Sequence, residues 1–550
     1  MTLSRRALLK SAALCAMGGR LIAADDRETL YNGITLARPW PPRNAFLSDI
    51  PVTPPYLADP PAVIPIDVGR QLFVDDFLIE ERTLERDFHH ATYHPASPVF
   101  RPRARWETYD DAAERTHTRS NPAAMPFSDG VFYDPRERLF KMWYMGGYSQ
   151  NTCLALSDDG IEWRRPELDV VRGTNIVHHE LRDSTTVWFD ADADPETRCK
   201  MSSYNGSERA LLLSTSRDGI HWSKPARSGP TGDRSTMFYN PFRRVWVFSL
   251  RSLDTPGLTG RYRRYFESPR FPPAAQWRQD EPVLWIGADR FDPPRTKYAD
   301  ASQLYNLDCV AYESLLLGLF TIFRGEGTDR EKPNDLCAGF SRDGFHWARP
   351  DRTPFISVSE HVGDWNWANV QSAGGCCLVA GDQLFFYVSG RQGVPGTDLP
   401  GICSTGLATL RRDGFASITD DLTSRPVRAA SPGARQLTTR PVRFSGRWLF
   451  VNADVARGSV EIELLDRAGR VIEPFSRSRM RPLGGANGTR LRVAWEGRDT
   501  LDELIGEPVR FRFFVNRGRL YSFWVSRSPE GPSGGYVAAG GPGFPHAVDA

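Results

Sequence analysis

The chain has 550 residues, more than one ordinary hydrophobic core organises, which predicts two domains. Its 69 basic and 67 acidic residues leave a formal net charge of only +2, and no run rich in Lys or Arg follows the first residues, so we expect a neutral partner and no nucleic acid. The 15 Trp, 17 Tyr and 31 Phe residues suit β-strands and the stacking of sugar rings.

The first 24 residues resemble a twin-arginine export signal. Residues 4–10 read SRRALLK, with Leu8 where Phe is commoner, and a weakly apolar run follows. The alternative is a short amphipathic helix, but no second apolar helix is near it in the sequence. We therefore predict a signal peptide at residues 1–24, recognised by the twin-arginine export machinery, and a periplasmic or secreted mature protein. No later stretch approaches 18 apolar residues, so we expect no membrane span.

The segment after the signal is rich in proline, and we predict a linker at residues 25–66. Residues 72–79 are mostly apolar and predict a β-strand at the start of the folded part, near residue 67. This strand stands outside the repeats that follow it.

A repeated S-x-D-G-x-x-W element is the strongest pattern in the chain. It occurs at residues 157–163, 216–222 and 341–347, with a fainter copy at 413–415. The interval between the second and third copies is about twice the others, and a decayed copy at residues 266–277 fills it, so the count is five. In each copy Asp-Gly supplies the tight turn of an outer hairpin, and Trp starts the returning strand. We assign these turns structural roles.

An apolar strand stands before each turn, and repeats of this length with four short strands predict the blades of a β-propeller. The predicted innermost strands of the first four blades are at residues 131–134, 187–190, 237–240 and 310–313. The fifth blade is less regular and runs through residues 374–379 and 384–387. We expect the strand at 72–79 to close the ring against this blade, near residues 407–410.

From about residue 434 the repeat stops and strands with alternating apolar residues take over. Residues 509–515 turn at 516–518 into residues 520–524, and this pattern predicts a β-sandwich. The predicted fold is therefore all-β: a five-bladed β-propeller at 67–433 as the catalytic domain, a C-terminal β-sandwich at 434–528, and a flexible tail at 529–550.

Seven cysteines lie outside the signal, and none forms a CxxC pair. An odd set without such pairs predicts neither a disulfide framework nor a zinc site. We expect buried thiols with structural roles. These residues are Cys153, Cys199, Cys309, Cys337, Cys376, Cys377 and Cys403.

Acidic residues recur where the predicted innermost strands begin. Asp183 and Asp233 stand four positions before the Val or Met that anchors their strands, and Asp129 and Asp308 stand two positions before it. Both positions share one face of a strand, so Asp183 and Asp233 should be adjacent near the channel mouth, with Asp129 roughly 7 Å further along. Paired carboxylates are what glycosidic cleavage requires. The alternative for each Asp is a solvated turn residue or a hydrogen-bond partner of the next blade.

Five blades with an Asp in each of the first three resemble the invertase, levansucrase and arabinanase superfamily of glycosidases. The order of propeller and sandwich is similar to the invertase branch, over most of residues 67–528. Arg182-Asp183 resembles the Arg-Asp of that branch's Arg-Asp-Pro motif, with Ser184 replacing Pro, and implies that Asp183 stabilises the transition state. The position of Asp129 implies the nucleophile or base, although only residues 128–130 stand where the branch has Asn-Asp-Pro-Asn-Gly.

The general acid has more than one candidate by this resemblance. The superfamily carries a Glu in blade three, where this chain has Asp233, which is shorter by one methylene. Glu360 and Asp289, on loops between blades, are alternative acids, and Asp308 is an alternative to one of the three Asp residues.

The resemblance implies a glycoside hydrolase that cleaves an oligo- or polysaccharide with the carboxylates lining its channel. It implies no cofactor, although some arabinanase relatives hold a structural metal ion in the channel. The alternative is a non-catalytic carbohydrate-binding propeller, because the invertase motifs are absent. Trp365 suits either a stacking platform or packing within a blade. The predicted substrate contacts are Arg182, Arg234, Asn306, Asp308, Trp365, Asn369 and Gln371.

Overall fold

The computed structural model describes residues 27–108, 121–251, 258, 260–272, 276–295, 301–325, 330, 332–420 and 435–550. The predicted signal peptide at 1–24 lies outside these residues. The described part is almost entirely β-structure, as predicted. Its helices are single turns, none long and apolar enough to cross a membrane: α1 (Pro55–Ala58), α2 (Arg105–Thr108) and the 3-10 helices Pro195–Thr197, Glu473–Phe475, Arg477–Arg479 and Asp502–Leu504.

Five short strands come before the repeats. They are β1 (Ile64–Pro65), β2 (Gln71–Leu72), β3 (Ile79–Arg82), β4 (Glu85–Phe88) and β5 (Thr92–Tyr93).

Five antiparallel sheets then form the blades of a propeller, as the repeats predict. Blade one holds β6 (Ala124–Asp134), β7 (Leu139–Gly146), β8 (Asn151–Ser157) and β9 (Ile176–His178). Blade two holds β10 (Thr185–Phe189), β11 (Cys199–Asn205), β12 (Ala210–Ser216) and β13 (Ala226–Pro230). Blade three holds β14 (Thr236–Asn240), β15 (Val245–Arg251), β16 (Arg263–Ser268) and β17 (Val283–Ile286).

The other two blades are less regular. Blade four holds β18 (Gln303–Glu313), β19 (Leu315–Phe323) and β20 (Asn334–Ser341). Blade five holds β21 (Asn369–Ser372), β22 (Leu378–Ala380), β23 (Gln383–Arg391) and β24 (Cys403–Arg411). The innermost strands β6, β10, β14 and β18 follow one another, and β21 lies beside β6, which completes the ring. The predicted strand at 374–379 is therefore not the innermost one, because β21 precedes it.

The ring closes at blade five, but with a different strand from the one predicted. Thr92 and Tyr93 of β5 pair with Thr409 and Ala408 of β24. The residues predicted for this role instead join the sandwich, where Leu72 pairs with Ser522. The predicted position near residues 407–410 is correct and the predicted strand is wrong, because Phe73, Phe77 and Leu78 pack in a second core, that of the sandwich.

The sandwich follows the propeller. Its remaining strands are β25 (Ala416–Thr419), β26 (Gln436–Thr439), β27 (Val442–Arg443), β28 (Trp448–Asp454), β29 (Ser459–Leu465), β30 (Leu483–Gly484), β31 (Asn487–Arg492), β32 (Arg510–Asn516) and β33 (Arg519–Ser526). One sheet has the order β31-β28-β33-β25-β4, and the other β3-β26-β32-β29-β30. The turn at residues 516–518 joins β32 to β33 in opposite sheets, so it is not a hairpin. Strands before residue 89 contribute to both sheets.

The repeated Asp-Gly turns connect neighbouring blades. In blade one, the Ser157 hydroxyl accepts the Gly160 N–H at 2.8 Å, and the Asp159 carboxylate accepts two further backbone N–H groups. An aromatic side chain of the preceding blade then donates to a carbonyl of the turn. Three such bonds are Trp143 Nε1 to Gly219 at 2.8 Å, Tyr387 Oη to Gly160 at 2.5 Å, and Trp285 Nε1 to Phe345 at 2.7 Å. Each repeated turn thus connects its own blade to the preceding blade.

We expect Gly219→Ala to lower the free energy of unfolding by about 2–4 kcal/mol. Gly219 has a φ of +77°, and an added Cβ would lie 2.4 Å from Cζ2 of Trp143. Gly173→Ala is the matched control, since its φ is +78° and nothing lies within 4 Å of its added Cβ. Denaturant unfolding of both variants checks this. An equal loss in both would show that the contact with Trp143 contributes nothing.

The C-terminal residues 529–550 are packed, which corrects the predicted flexible tail. Strand β34 (Tyr536–Val537) pairs with the end of β18 at the far end of the channel. The Ala539 N–H donates to the Cys377 carbonyl at 3.0 Å, and the Ala539 carbonyl accepts the Tyr133 N–H at 3.0 Å. Glycine here permits close backbone approach, because a Cβ on Gly541 would lie 1.8 Å from the Val379 carbonyl oxygen.

The proline-rich segment before residue 67 is also packed where it is described, against the linker prediction. Tyr31 stacks on Phe242 with ring centroids 4.3 Å apart, and Tyr56 is buried. Its apolar residues add to the second core, which proline content alone does not indicate. The seven cysteines predicted to be buried are buried, and no disulfide joins them.

Candidate functional site at the channel mouth

A wide bulge in β6 positions Asp129. Met125 pairs with Met145, and pairing resumes only at Gly130 with Trp143. Ser128 within the bulge has a φ of +63°, and Gly130 has a φ of +129°, where a Cβ would lie 2.5 Å from the Val187 carbonyl oxygen. The Gly after Asp129 therefore permits blade two to approach the bulge closely.

Asp129 is fully buried in a bidentate ion pair with Arg182. The two carboxylate oxygens accept from Nη1 and Nη2 of Arg182 at 2.5 and 2.9 Å. Arg182 also donates to Oγ1 of Thr152 at 3.0 Å and to the backbone carbonyl of Asp183 at 3.2 Å. Burial raises the pKa of Asp129 to about 6, against the opposing effect of the Arg182 and Arg234 guanidiniums. Asp129 thus fixes Arg182, and Arg182 fixes the backbone of Asp183.

Asp183 stands just before β10 and is partly exposed. Its Oδ1 is buried and has no hydrogen-bond partner among the described residues. Its charge acts on the guanidiniums of Arg234 and Arg251, whose pKa values burial lowers and Asp183 raises. A carboxylate with an unused buried oxygen and an open side is suited to an incoming hydroxyl or water.

Asp233, before β14, is ion-paired with Arg251, which ends β15. Both side chains are about one-third exposed, at 33% and 32%. The charge of Asp183 also acts on Arg251, so this guanidinium is influenced by carboxylates of two consecutive blades.

Asp308 joins three blades across the channel. Its Oδ2 accepts from Ser128 of blade one at 3.1 Å, from Ser372 of blade five at 2.5 Å, and from Asn306 on its own strand at 2.9 Å. Burial raises the pKa of Asp308, and the Ser372 hydrogen bond and Arg234 oppose the rise. With three donors on one oxygen and only 3% exposure, Asp308 organises the channel and does not present a free carboxylate.

Arg234 is at the centre of these carboxylates. Its guanidinium lies 3.8 Å from the centroid of the Phe127 ring and donates to Ser128 Oγ at 3.1 Å. Its φ of +55° is left-handed, and its Nε has no partner among the described residues. Burial lowers its pKa, whereas Asp183 and Asp308 raise it.

The predicted polar contacts of blades four and five line the inner strands. Gln371 Nε2 donates to Asn369 Oδ1 at 2.7 Å, and Asn369 donates to the Lys332 carbonyl at 2.6 Å. Oε1 of Gln371 and Oδ1 of Asn306 are buried without partners among the described residues. These amides retain acceptors for a ligand hydroxyl.

Trp365 packs within blade five, one of the two readings of its sequence position. An added Cβ on Gly390 or on Gly406 would lie 2.1 Å from its indole ring. Its ring also meets Tyr93 edge-on at 5.4 Å. These packing contacts explain a Trp at this position without a role in stacking on a sugar.

Glu360 and Asp289, the alternative general acids, are both paired with arginines. Glu360 accepts from Arg295 at 2.5 Å and from Arg330 at 2.9 Å, and although burial raises its pKa, the net shift is downward because of these guanidiniums. Asp289 accepts from Arg352 twice at 2.9 Å, beyond the outermost strand of blade three. Neither contacts the Asp129, Asp183 and Asp233 group.

Sequence reasoning missed several residues of this site. Arg251 and Arg263 contact the group from the second and third strands of blade three, and Ser128 and Ser372 hold Asp308. A signal existed for Arg251, since it ends the apolar strand VWVFSLR. In the described part of the chain, no three His, Cys, Asp or Glu side chains are grouped to hold a metal ion.

Neither a protein-family model nor a curated protein matches the chain. Solved structures do match, at low identity. An N-acetylgalactosamine deacetylase from F. plautii, in complex with blood group B trisaccharide, is 15% identical over 58% of this chain and 97% of its own, with a TM-score of 0.39. A thermostable family-43 glycoside hydrolase is 14% identical over 57% and 98%, with a TM-score of 0.38. A fructofuranosidase from Schwanniomyces occidentalis, complexed with fructose, is 13% identical over 74% and 98%, with a TM-score of 0.33.

Proposed function

We propose that this protein is an exported glycoside hydrolase that cleaves an oligo- or polysaccharide at the mouth of its propeller channel. One observation carries the proposal: Asp183 and Asp233, from consecutive blades, are partly exposed, Asp233 is paired with Arg251, and the charge of Asp183 acts on the same guanidinium. Export rests on the twin-arginine pattern at residues 4–10, and it implies a periplasmic or secreted protein.

The contacts favour distinct roles for the two carboxylates. Glycosidic cleavage needs a carboxylic acid that protonates the leaving oxygen and a carboxylate that attacks the anomeric carbon or activates water. Asp233 is ion-paired with Arg251, so Asp233 is assigned as the nucleophile or base. Asp183 has no guanidinium bonded to its carboxylate and is assigned as the proton donor. This reverses the role that the resemblance implies for Asp233.

Asp129 is assigned as a positioning residue, because its two oxygens are used by Arg182. Its raised pKa of about 6 gives a pH test. Below about pH 6 the carboxyl is protonated and no longer holds Arg182 by charge, so kcat/KM should fall. We expect Asp129→Asn to lower kcat about 10–100-fold and to lose this acidic limb. A limb that persists near pH 6 in the variant would contradict the assignment.

The raised pKa of Asp129 also makes the stability of the folded protein depend on pH. The folded protein keeps a proton on Asp129 between about pH 4 and pH 6 that the unfolded chain has released. The contribution of Asp129 to stability therefore falls as pH rises through that window.

A non-catalytic carbohydrate-binding propeller is the second candidate, favoured by the full burial of Asp129. The deciding experiment incubates residues 25–550 with a broad panel of oligosaccharides and follows products by chromatography, with binding measured in parallel by calorimetry. Product release supports the hydrolase. Binding without any product supports the second candidate.

A further inference from the structure

Guanidinium groups outnumber carboxylates around the mouth, within the described part of the chain. The carboxylates are Asp129, Asp183, Asp233 and Asp308. The arginines are Arg182, Arg234, Arg251, Arg261, Arg263 and Arg391. The near-neutral charge of the whole chain conceals this local excess.

Two of these six arginines have a carboxylate partner. Arg182 pairs with Asp129, and Arg251 pairs with Asp233. Among the described residues, Arg234, Arg261 and Arg263 donate only to neutral oxygens. These bonds are Arg234 to Ser128 Oγ at 3.1 Å and to the Phe127 carbonyl at 3.4 Å, Arg261 to Gln303 Oε1 at 2.9 Å, and Arg263 to the carbonyls of Arg234 at 2.7 Å and of Tyr305.

The two innermost of these three arginines are also buried. Arg234 and Arg263 are 2% and 0% exposed, and Nε of each has no partner among the described residues. Burial and the charges of Arg234 and Arg251 together lower the pKa of Arg263 to about 9, although Asp308 opposes the shift. Buried cations that repel one another are unfavourable until an anion joins them.

Two arginines of this group, Arg251 and Arg261, are partly exposed to solvent. Arg251 is 32% exposed. Arg261 is partly exposed and lies 5.2 Å from the centroid of the Tyr305 ring and 4.9 Å from that of Phe323. Arg251 lies beside Asp233, and the charge of Arg261 acts on Arg251. An anion bound there would adjoin the proposed catalytic carboxylates.

We propose that the substrate is an anionic glycan, whose carboxylate or sulfate group binds Arg251 and Arg261, in front of the buried charge of Arg263 and next to the cleaved bond. The inference rests on the proposed function, and it replaces the neutral partner expected from net charge. The planar guanidinium forms paired hydrogen bonds with either anion.

The test measures binding and cleavage separately. Calorimetry compares uronate-containing oligosaccharides with their carboxyl-reduced forms, and sulfated oligosaccharides with their desulfated forms. We expect one anionic set to bind at least about tenfold more tightly than its neutral counterpart, with affinity falling as salt rises. The set that shows this difference identifies the anion as a carboxylate or a sulfate.

Arg261→Gln should lose about tenfold or more of this affinity, and Arg261→Lys should lose less. Arg278→Gln, at a 77% exposed arginine, is the matched control and should bind as the unmodified protein does. Equal affinity for neutral and anionic sets, or no binding of any anionic glycan, would overturn the inference. Efficient cleavage of neutral glycans would overturn the preference for an anionic substrate but would support the proposed hydrolase activity. Anion-dependent binding without cleavage would support the anionic ligand but would contradict the hydrolase activity.

Discussion

Asp183→Asn should lower kcat on an unactivated glycan by about 10³-fold, because the variant cannot protonate the leaving oxygen. A substrate with an acidic leaving group, such as a nitrophenyl glycoside, needs less protonation and should lose much less. The thermal midpoint should hardly change, since Oδ1 of Asp183 makes no hydrogen bond in the described structure. Steady-state kinetics on both substrate types, with a melting curve, checks all three expectations.

Asp159→Asn is the matched control for that variant. Asp159 is an exposed residue of the blade-one turn, where its Oδ1 accepts two backbone N–H groups that an Asn oxygen also accepts. Its kcat should equal that of the unmodified protein. Full activity of Asp183→Asn on unactivated glycans would remove Asp183 from the mechanism.

Asp413→Asn should lower the free energy of unfolding by about 3–5 kcal/mol, because it removes one of the two buried carboxylates, Asp413 and Glu313, that are ion-paired with Arg70. Asp413 belongs to the fainter copy of the Asp-Gly repeat and lies where the propeller meets the sandwich. Its oxygens accept from Arg70 at 3.0 Å, Tyr312 at 2.6 Å, Asn452 at 3.0 Å and Ser522 at 2.7 Å. Asn tolerates the φ of +62° at this position, so the variant isolates the charge.

Denaturant unfolding of this variant beside Asp159→Asn checks the prediction, with a change of less than about 1 kcal/mol expected in the control. Similar losses in both would show that the ion pair contributes little.

The pH dependence of Asp413 has the opposite sign to that of Asp129. Burial would raise its pKa, but Arg70 and Arg412 hold it at about 2. Because the unfolded carboxyl titrates near 3.8, the stabilisation by Asp413 is present above that pH and is lost as pH falls toward 2. Asp413→Asn should flatten the stability curve between these values.

The blades were predictable from the sequence because each repeat has a local cause. Ser157, Asp159 and Gly160 build their turn from their own hydrogen bonds, and the same residues recur in other blades. The terminal segments were not predictable, because their partners are distant in sequence. Ala539 is held by Tyr133 and Cys377, and nothing in the Gly-rich tail indicates those contacts.

The candidate site was predictable where strand register decides position. Asp183 and Asp233 precede regular strands of consecutive blades; Asp233 is paired with Arg251, and the charge of Asp183 acts on the same arginine. Asp129 lies in the bulge of β6, where alternation fails, and its burial against Arg182 was not evident. The excess of arginine was also hidden, because its members come from different strands and blades.

The most direct test of a hydrolase at this channel mouth is glycan cleavage in water enriched with ¹⁸O. The protein comprising residues 25–550 and its Asp183→Asn variant are each incubated with the glycans, and the products are analysed by mass spectrometry. We predict one ¹⁸O atom at the reducing end that each cleavage creates, and product formation about 10³-fold slower with the variant. No product from any neutral, uronate-containing or sulfated glycan, or labelled product at an undiminished rate with Asp183→Asn, would contradict the account.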